Sequence, residues 1–243
     1  MTSPGDPPPS RPSSFDEWVE AFREQASFFT GVRLSEGPPR WPLSDVLPVL
    51  PVVGAGVGLA AGLVFAIVRG IAGSGWLAAV LAVGMAILIT RALHEDGLAD
   101  TADGLGPHGL AAERRLEIMR DSRNGTFGVL AIALTVLIKV ACLAQFSGST
   151  GFAALIAAHA LSRAVIAYPL LAFSPVRPDG LGVQAGKPTD NDVWLAIGLG
   201  VAIALLLLLG KGFFVAILAP AAASAAACAR AREISSGREP ARS

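Results

Sequence analysis

Asp96, Asp100 and Asp103 recur at i, i+4 and i+7 in the stretch His94-Glu95-Asp96-Gly97-Leu98-Ala99-Asp100-Thr101-Ala102-Asp103-Gly104. On an α-helix this spacing puts three carboxylates within an arc of roughly 60°. Like charges so close repel one another, and a cation among them removes the penalty. An all-carboxylate ligand set favours Mg²⁺, with Mn²⁺ as the second choice, over zinc or copper. Mg²⁺ keeps several waters and takes one or two carboxylates plus substrate phosphates, which suits chemistry at a diphosphate. The plain alternative is a solvated acidic turn. The helical spacing, and the small apolar residues between the acids, weigh against it. Gly97 and Gly104 lower the helix propensity of the segment.

A second polar stretch follows, Glu117-Ile118-Met119-Arg120-Asp121-Ser122-Arg123-Asn124-Gly125-Thr126. Arg120 and Arg123 are suited to phosphate oxygens, and Asp121 could add a metal ligand or accept a proton. Ordinary cytoplasmic-side positive charge is the competing reading of the arginines. His108 sits in a Gly/Pro loop. His94 points away from the three-aspartate face of a regular helix and is not expected to ligate a metal. The chain has no Gly-x-Ser-x-Gly, no Walker loop and no dinucleotide fingerprint.

The elements that must position these groups are apolar. Of 243 residues 53% are hydrophobic and 16% charged, with mean hydropathy +0.58; soluble domains carry roughly 25% charge. Nineteen basic residues balance nineteen acidic ones, so no global field favours nucleic acid. Apolar runs long enough to cross a bilayer occur at Val46–Val68, Gly75–Leu93, Phe127–Phe146, Gly151–Phe173, Val193–Gly210 and Gly212–Cys228. Gly54, Gly56, Gly58 and Gly62 permit close helix contact in lipid. With six spans, fourteen basic residues fall on one side and two, Arg69 and Lys211, on the other. That asymmetry places both termini on the cytoplasmic side of the cell membrane. Arg91, Lys139 and Arg163 lie inside spans. Arg91 is near an end. Lys139 and Arg163 lie deeper, where a cation requires a partner or a ligand. His159 is one turn before Arg163, on its face. Cys142 and Cys228 read as two small core residues.

Ahead of the spans, Ser14–Thr30 reads as an amphipathic helix. Ser14 and Glu17 have capping-box spacing, and Phe15, Trp18, Val19, Phe22, Ala26 and Phe29 share a face. The expected architecture is therefore all-α: a polytopic integral membrane helix bundle of about six transmembrane helices with an N-terminal interfacial amphipathic helix. Residues 1–13 are expected to be a disordered tail, 14–232 a single transmembrane helical domain, and 233–243 a second disordered tail.

At the two polar stretches the sequence resembles the cobalamin synthase family, adenosylcobinamide-GDP ribazoletransferase. The residues that carry the resemblance are HEDGLADTADG, His94 to Gly104, and LEIMRDSRNGTFG, Leu116 to Gly128. Weaker similarity extends through Lys139, Ser162-Arg163, the Arg177 to Gly182 segment, the residues near Phe29 and Leu50–Gly54. The resemblance implies a Mg²⁺-dependent membrane enzyme that joins adenosylcobinamide-GDP to α-ribazole, or its 5′-phosphate, and releases GMP. It implies Asp96, Asp100 and Asp103 as metal ligands, these and Asp121 as catalytic carboxylates, and Arg120, Arg123, Lys139 and Arg163 as substrate-binding cations. Corrinoid nucleotide, α-ribazole and membrane lipid are the implied partners, without nucleic acid; a homo-oligomer is compatible. Glu95 stands where the family usually has Leu. Family members commonly carry Gly-x-Thr-Gly-Asp-x-x-Gly-Ala in a final span, whereas this chain closes on AREISSGREPARS. One site carboxylate and one span fewer are thus expected.

Two other readings stay open at this level. A small-molecule transporter could use Lys139, His159 and Arg163 along its path, but it should carry mid-membrane carboxylates, and no span holds one. A CDP-alcohol phosphotransferase shares an acidic DG…AD…D arrangement, yet its motif places Ala-Arg after the first Asp-Gly, where this chain has Leu98-Ala99-Asp100.

Overall fold

A computed structural model describes residues 11–121, 123–175 and 180–208. Every regular element among them is a helix: α1 (Phe15–Phe29), α2 (Val49–Ala72), α3 (Gly75–Ile89), α4 (Leu93–Leu105), α5 (Ala112–Ile118), α6 (Thr126–Leu143), α7 (Gly148–Val165), α8 (Ala167–Ala172), α9 (Leu181–Gln184) and α10 (Asp190–Leu208), with a short 3₁₀ turn at Leu43–Asp45. Four segments are long and apolar enough to cross a membrane: α2, α6, α7 continued through α8, and α10. A fifth crossing is available if α3 and α4, bent 88° at their junction, are one broken span. This is the architecture of a polytopic helical membrane protein. The sixth expected span, Gly212–Cys228, and the tail 233–243 lie outside the described residues, as does the Arg177–Asp179 segment.

The chain divides into two compact units, with boundaries after Leu59, inside α2, and after Phe152, inside α7. Each is described by itself. The first contains α1, the first part of α2, most of α7, and α8 to α10. Its core joins Ala21, Ala26 and Phe29 of α1 to Trp41, Val46, Leu47, Leu50, Val53, Ala167, Val193 and Ala196. The capping box forms as its spacing predicts: the Glu17 N–H donates to Ser14 Oγ, and the Glu17 carboxylate accepts from the Ser14 N–H. α1 is amphipathic, but protein rather than an interface covers most of its apolar face. Only Phe15 and Val19, at its start, and Phe28 remain exposed. Arg11, expected in a disordered tail, is held instead. Its guanidinium donates two hydrogen bonds to Asp192, at 2.8 and 2.6 Å, and lies 3.8 Å from Asp45.

In the same unit α2 meets α7 backbone to backbone. A Cβ at Gly54 would stand 2.8 Å from the His159 carbonyl carbon and 3.1 Å from Ala160 Cα. One at Gly58 would stand 2.5 Å from the Leu155 carbonyl oxygen. Gly56, on another face, has nothing within 4 Å. Small residues are thus required at two of the positions that the sequence marks, because no side chain yields there. α10 rests on α7 through Gly200, where a Cβ would come 2.6 Å from that of Ala164.

The second unit holds α3 to α6, the end of α2 and the start of α7. α3 and α4 both pack on α6, and α5 packs on α4. The outer face of α6 is apolar and exposed at Val129, Leu130, Leu134, Leu137 and Ile138. Cys142 is a free thiol on that exposed surface rather than a core residue.

Gly54→Ala is expected to destabilise the protein by about 1–3 kcal/mol, the usual cost of overpacking, and Gly56→Ala to change little. Thermal unfolding of the two variants in detergent, followed by circular dichroism, compares them directly; equal midpoints would remove the α2–α7 contact from the account.

Candidate functional site

The apolar run expected to continue to Leu93 stops at Ile89. At its end the Arg91 N–H donates to the Leu88 carbonyl and the Ala92 N–H to the Ile87 carbonyl, 2.9 Å away. This is the Schellman pattern of a helix C-terminus. It needs a left-handed residue just past the cap, ordinarily Gly. Here Arg91 (φ 52°) and Ala92 (φ 56°) both take that conformation, at roughly 1–2 kcal/mol each. The Thr90 hydroxyl supports the turn by donating to the Ala86 carbonyl at 2.9 Å. No glycine announces the break, which is why the apolar pattern alone runs past it. The fifteen residues of α3 extend only about 22 Å, less than the ~30 Å hydrocarbon core.

α4 then returns along α6. Glu95 near its start forms an ion pair with Lys139, Nζ to Oε1 3.2 Å, and the Glu95 side chain is mostly covered. Lys139 lies about 20 Å along α6 from Thr126. The acidic segment is therefore not beyond a span, as the sequence suggests, but beside one. Ala99, Asp103 and Gly104 are buried. Gly104 admits the side chain of Met119, where a Cβ would come 2.5 Å from Met119 Cε.

Asp103 decides how α4 sits. Its Oδ2 accepts the Gly125 N–H at 2.7 Å and its Oδ1 the Gly128 N–H at 2.8 Å. Gly125 is the N-cap of α6 and supplies no side-chain cap of its own. Asp103 satisfies the cap and N3 amides from 22 and 25 residues away, and sets a negative charge at the positive end of the helix. Glycines are required in return: a Cβ at Gly125 would stand 2.5 Å from Asp103 Oδ1, and one at Gly128 would run into Oδ2.

Between α5 and α6 the Asp121 carboxylate accepts from the Arg123 backbone N–H at 3.1 Å, from its Nε at 3.0 and 3.2 Å, and from its Nη2 at 2.7 Å. These side-chain and backbone bonds from Arg123 pull the Asp121 pKa down to about 2. Arg120 is exposed on the same loop.

The profile of the cobalamin-5-phosphate synthase family matches residues 21–237. The chain belongs to this family. Among its curated relatives, the adenosylcobinamide-GDP ribazoletransferase of Bradyrhizobium diazoefficiens is 44% identical over 181 residues, covering 73% of this chain and 69% of that protein. Its counterpart in Allorhizobium ampelinum is 44% identical over 151 residues, with 60% and 58% covered. That of Azorhizobium caulinodans is 43% identical over 149 residues, with 60% and 56% covered. The chain thus spans 56% to 69% of the length of these relatives. No solved structure matches it.

In this member of the family the expected residues separate into groups. Asp96, Asp100 and Asp103 do share α4. Asp96 and Asp100 are one turn apart, whereas Asp96 and Asp103 are separated by about 10 Å along the axis. An ion with ligand distances near ~2.1 Å fits the first interval far better than the second. Among the described residues no three His, Cys, Asp or Glu side chains converge around one metal position. The donor set on α4 fits Mg²⁺ in its two-carboxylate mode, with phosphates and water completing the shell. Asp121 is turned to Arg123. Lys139 is paired with Glu95. Arg163 belongs to the first unit, buried on α7, where Nη1 lies 3.0 Å from His159 Nδ1 and donates to Ser162 Oγ at 2.8 Å; the expected Arg163–His159 contact on one helix face is present. Sequence reasoning missed the capping role of Asp103. Its only trace was the pair of glycines flanking Thr126-Phe127.

Gly128→Val should disrupt the seat of Asp103 and lower the apparent thermal midpoint by several degrees, because branched bulk meets a carboxylate fixed on both oxygens; an unchanged midpoint would contradict the seat. A lowered carboxylate pKa adds stability above its unfolded value that disappears as pH falls through the folded value. The Asp121 contribution should therefore be complete above about pH 5 and fade as pH falls from the ordinary aspartate range through about 2. A carboxyl ¹³C titration should show that midpoint moving up toward the ordinary aspartate range in Arg123→Ala, and no movement would remove Arg123 as the cause.

Proposed function

We propose that the chain is an adenosylcobinamide-GDP ribazoletransferase, joining adenosylcobinamide-GDP to α-ribazole or its 5′-phosphate with release of GMP. Family membership and the names of its relatives support the reaction. The observation that carries the site is α4: Asp96 and Asp100 stand one turn apart on a helix tied to a membrane-length helix at two points. A ribose hydroxyl of α-ribazole attacks the cobinamide-side phosphorus, an O–P bond forms, and the bridging P–O bond breaks with GMP as leaving group. Mg²⁺, or Mn²⁺, bound by Asp96 and Asp100 would supply charge neutralisation at the diphosphate. Asp96 or Asp100 also accepts the hydroxyl proton. Asp121, already accepting from the backbone N–H, Nε and Nη2 of Arg123, is left to that guanidinium. Arg120 meets phosphate charge, and Asp121 orients the Arg123 guanidinium toward the same work. Lys139 acts through Glu95.

The excess of basic residues on one side supports insertion in the cytoplasmic (inner) membrane with both termini in the cytoplasm.

Asp96→Asn and Asp100→Asn should each reduce GMP release by at least about a hundredfold, the scale of losing a metal ligand at a phosphoryl centre, while the protein still inserts. The assay incubates membranes with adenosylcobinamide-GDP, α-ribazole and Mg²⁺ and follows GMP; full activity in both variants would end this assignment.

A further inference from the structure

We propose that Asp103 is a positioning residue, which registers α4 on the N-terminus of α6 and leaves the divalent cation to Asp96 and Asp100 alone. This rests on the reading of those two aspartates as the metal pair at a diphosphate.

Three observations converge on it. Each Asp103 oxygen already accepts a short hydrogen bond from a backbone amide, at 2.7 and 2.8 Å. The residue is 8% exposed, buried between α4 and α6. The two amides are the first donors of a helix, which have no partner within it. Turning the carboxylate toward a cation would give up the Gly125 bond and strand the buried Gly128 donor, and a buried unsatisfied donor costs about 1–3 kcal/mol. The glycines at 125 and 128 leave room for a carboxylate in this place and for nothing larger beside it.

The other end of α4 is held separately. Glu95, one residue before Asp96, pairs with Lys139 of α6. A helix tied near both ends cannot rotate to exchange Asp103 for Asp96. The tether at Asp103 is neutralised by helix amides and the tether at Glu95 by an ammonium, so neither requires the cation. Asp96 is exposed, between the two.

Asp103→Asn and Asp103→Ser each keep one acceptor oxygen and remove the charge, Asn at nearly the full size of the carboxylate. Mn²⁺ binding to the purified protein in detergent, read by electron paramagnetic resonance, should stay within about threefold of wild type in both, but weaken more than about tenfold in Asp96→Asn and Asp100→Asn. Asp103→Ala should lower kcat about tenfold with KM for adenosylcobinamide-GDP held, and Asp103→Asn should recover most of it. A measurement on the unaltered protein covers the case in which these variants fail to fold. Hydrogen exchange of the Gly125 and Gly128 amides should be no faster with Mg²⁺ bound than without it. Loss of Mn²⁺ binding in a folded Asp103→Asn equal to that in Asp96→Asn, or deprotection of those amides by Mg²⁺, would overturn the proposal. Undiminished Mn²⁺ binding in Asp96→Asn and Asp100→Asn would instead overturn the metal assignment on which it rests.

Discussion

A buried carboxylate at the open end of a helix is the contact on which the second unit depends. Burying an ionised group is expensive unless donors or charge compensate it. Asp103 meets that condition without a cationic side chain. Two amides of α6 point at its two oxygens, and the partial positive charge of the helix end adds to them. The exchange is mutual, since the buried Gly128 amide would otherwise lack a partner. Gly125 and Gly128 follow from it, because any Cβ there would occupy the space of the carboxylate.

The same contact gives a reason for the break between α3 and α4. Two non-glycine residues in left-handed conformation are unfavourable locally. They redirect the chain by 88°, which brings the acidic helix back against α6. The hydrogen bonds of Asp103 and the Glu95–Lys139 pair are gained only after that turn, and offset its cost. A straight continuation of α3 would have carried the aspartates away from α6. Strain of this kind collects where a site must be built, and here it lies immediately before the helix that carries the acids.

The first unit is organised by different means. Its helices approach through glycine at 54, 58 and 200, and Asp192 and Glu24 each sit in a small set of donors. Asp192 accepts from Thr189 and from Arg11. The buried Glu24 carboxylate accepts the Arg40 N–H at 2.9 Å, and its burial raises its pKa. These contacts draw the residues before α2 onto the protein.

Composition and period by themselves determined that the chain is helical and membrane-embedded, that Ser14 and Glu17 open the first helix, and that His159 and Arg163 share a face. Each of these depends on residues within a turn or two of one another, or on the summed apolarity of a segment. The acidic motif and its family were equally legible, because spacing and residue type carry them. Tertiary structure decided the rest. Nothing local distinguishes Asp103 from Asp96 or Asp100; only the arrival of Gly125 and Gly128 makes one of three like carboxylates a cap. Nothing local ends α3 either, since Arg91 stands where a glycine would have given warning. The pairing of Arg11 with Asp192, 181 residues away, has no signature in either segment. Such contacts depend on where the chain returns to, and a one-dimensional pattern records only what lies beside each residue along the chain.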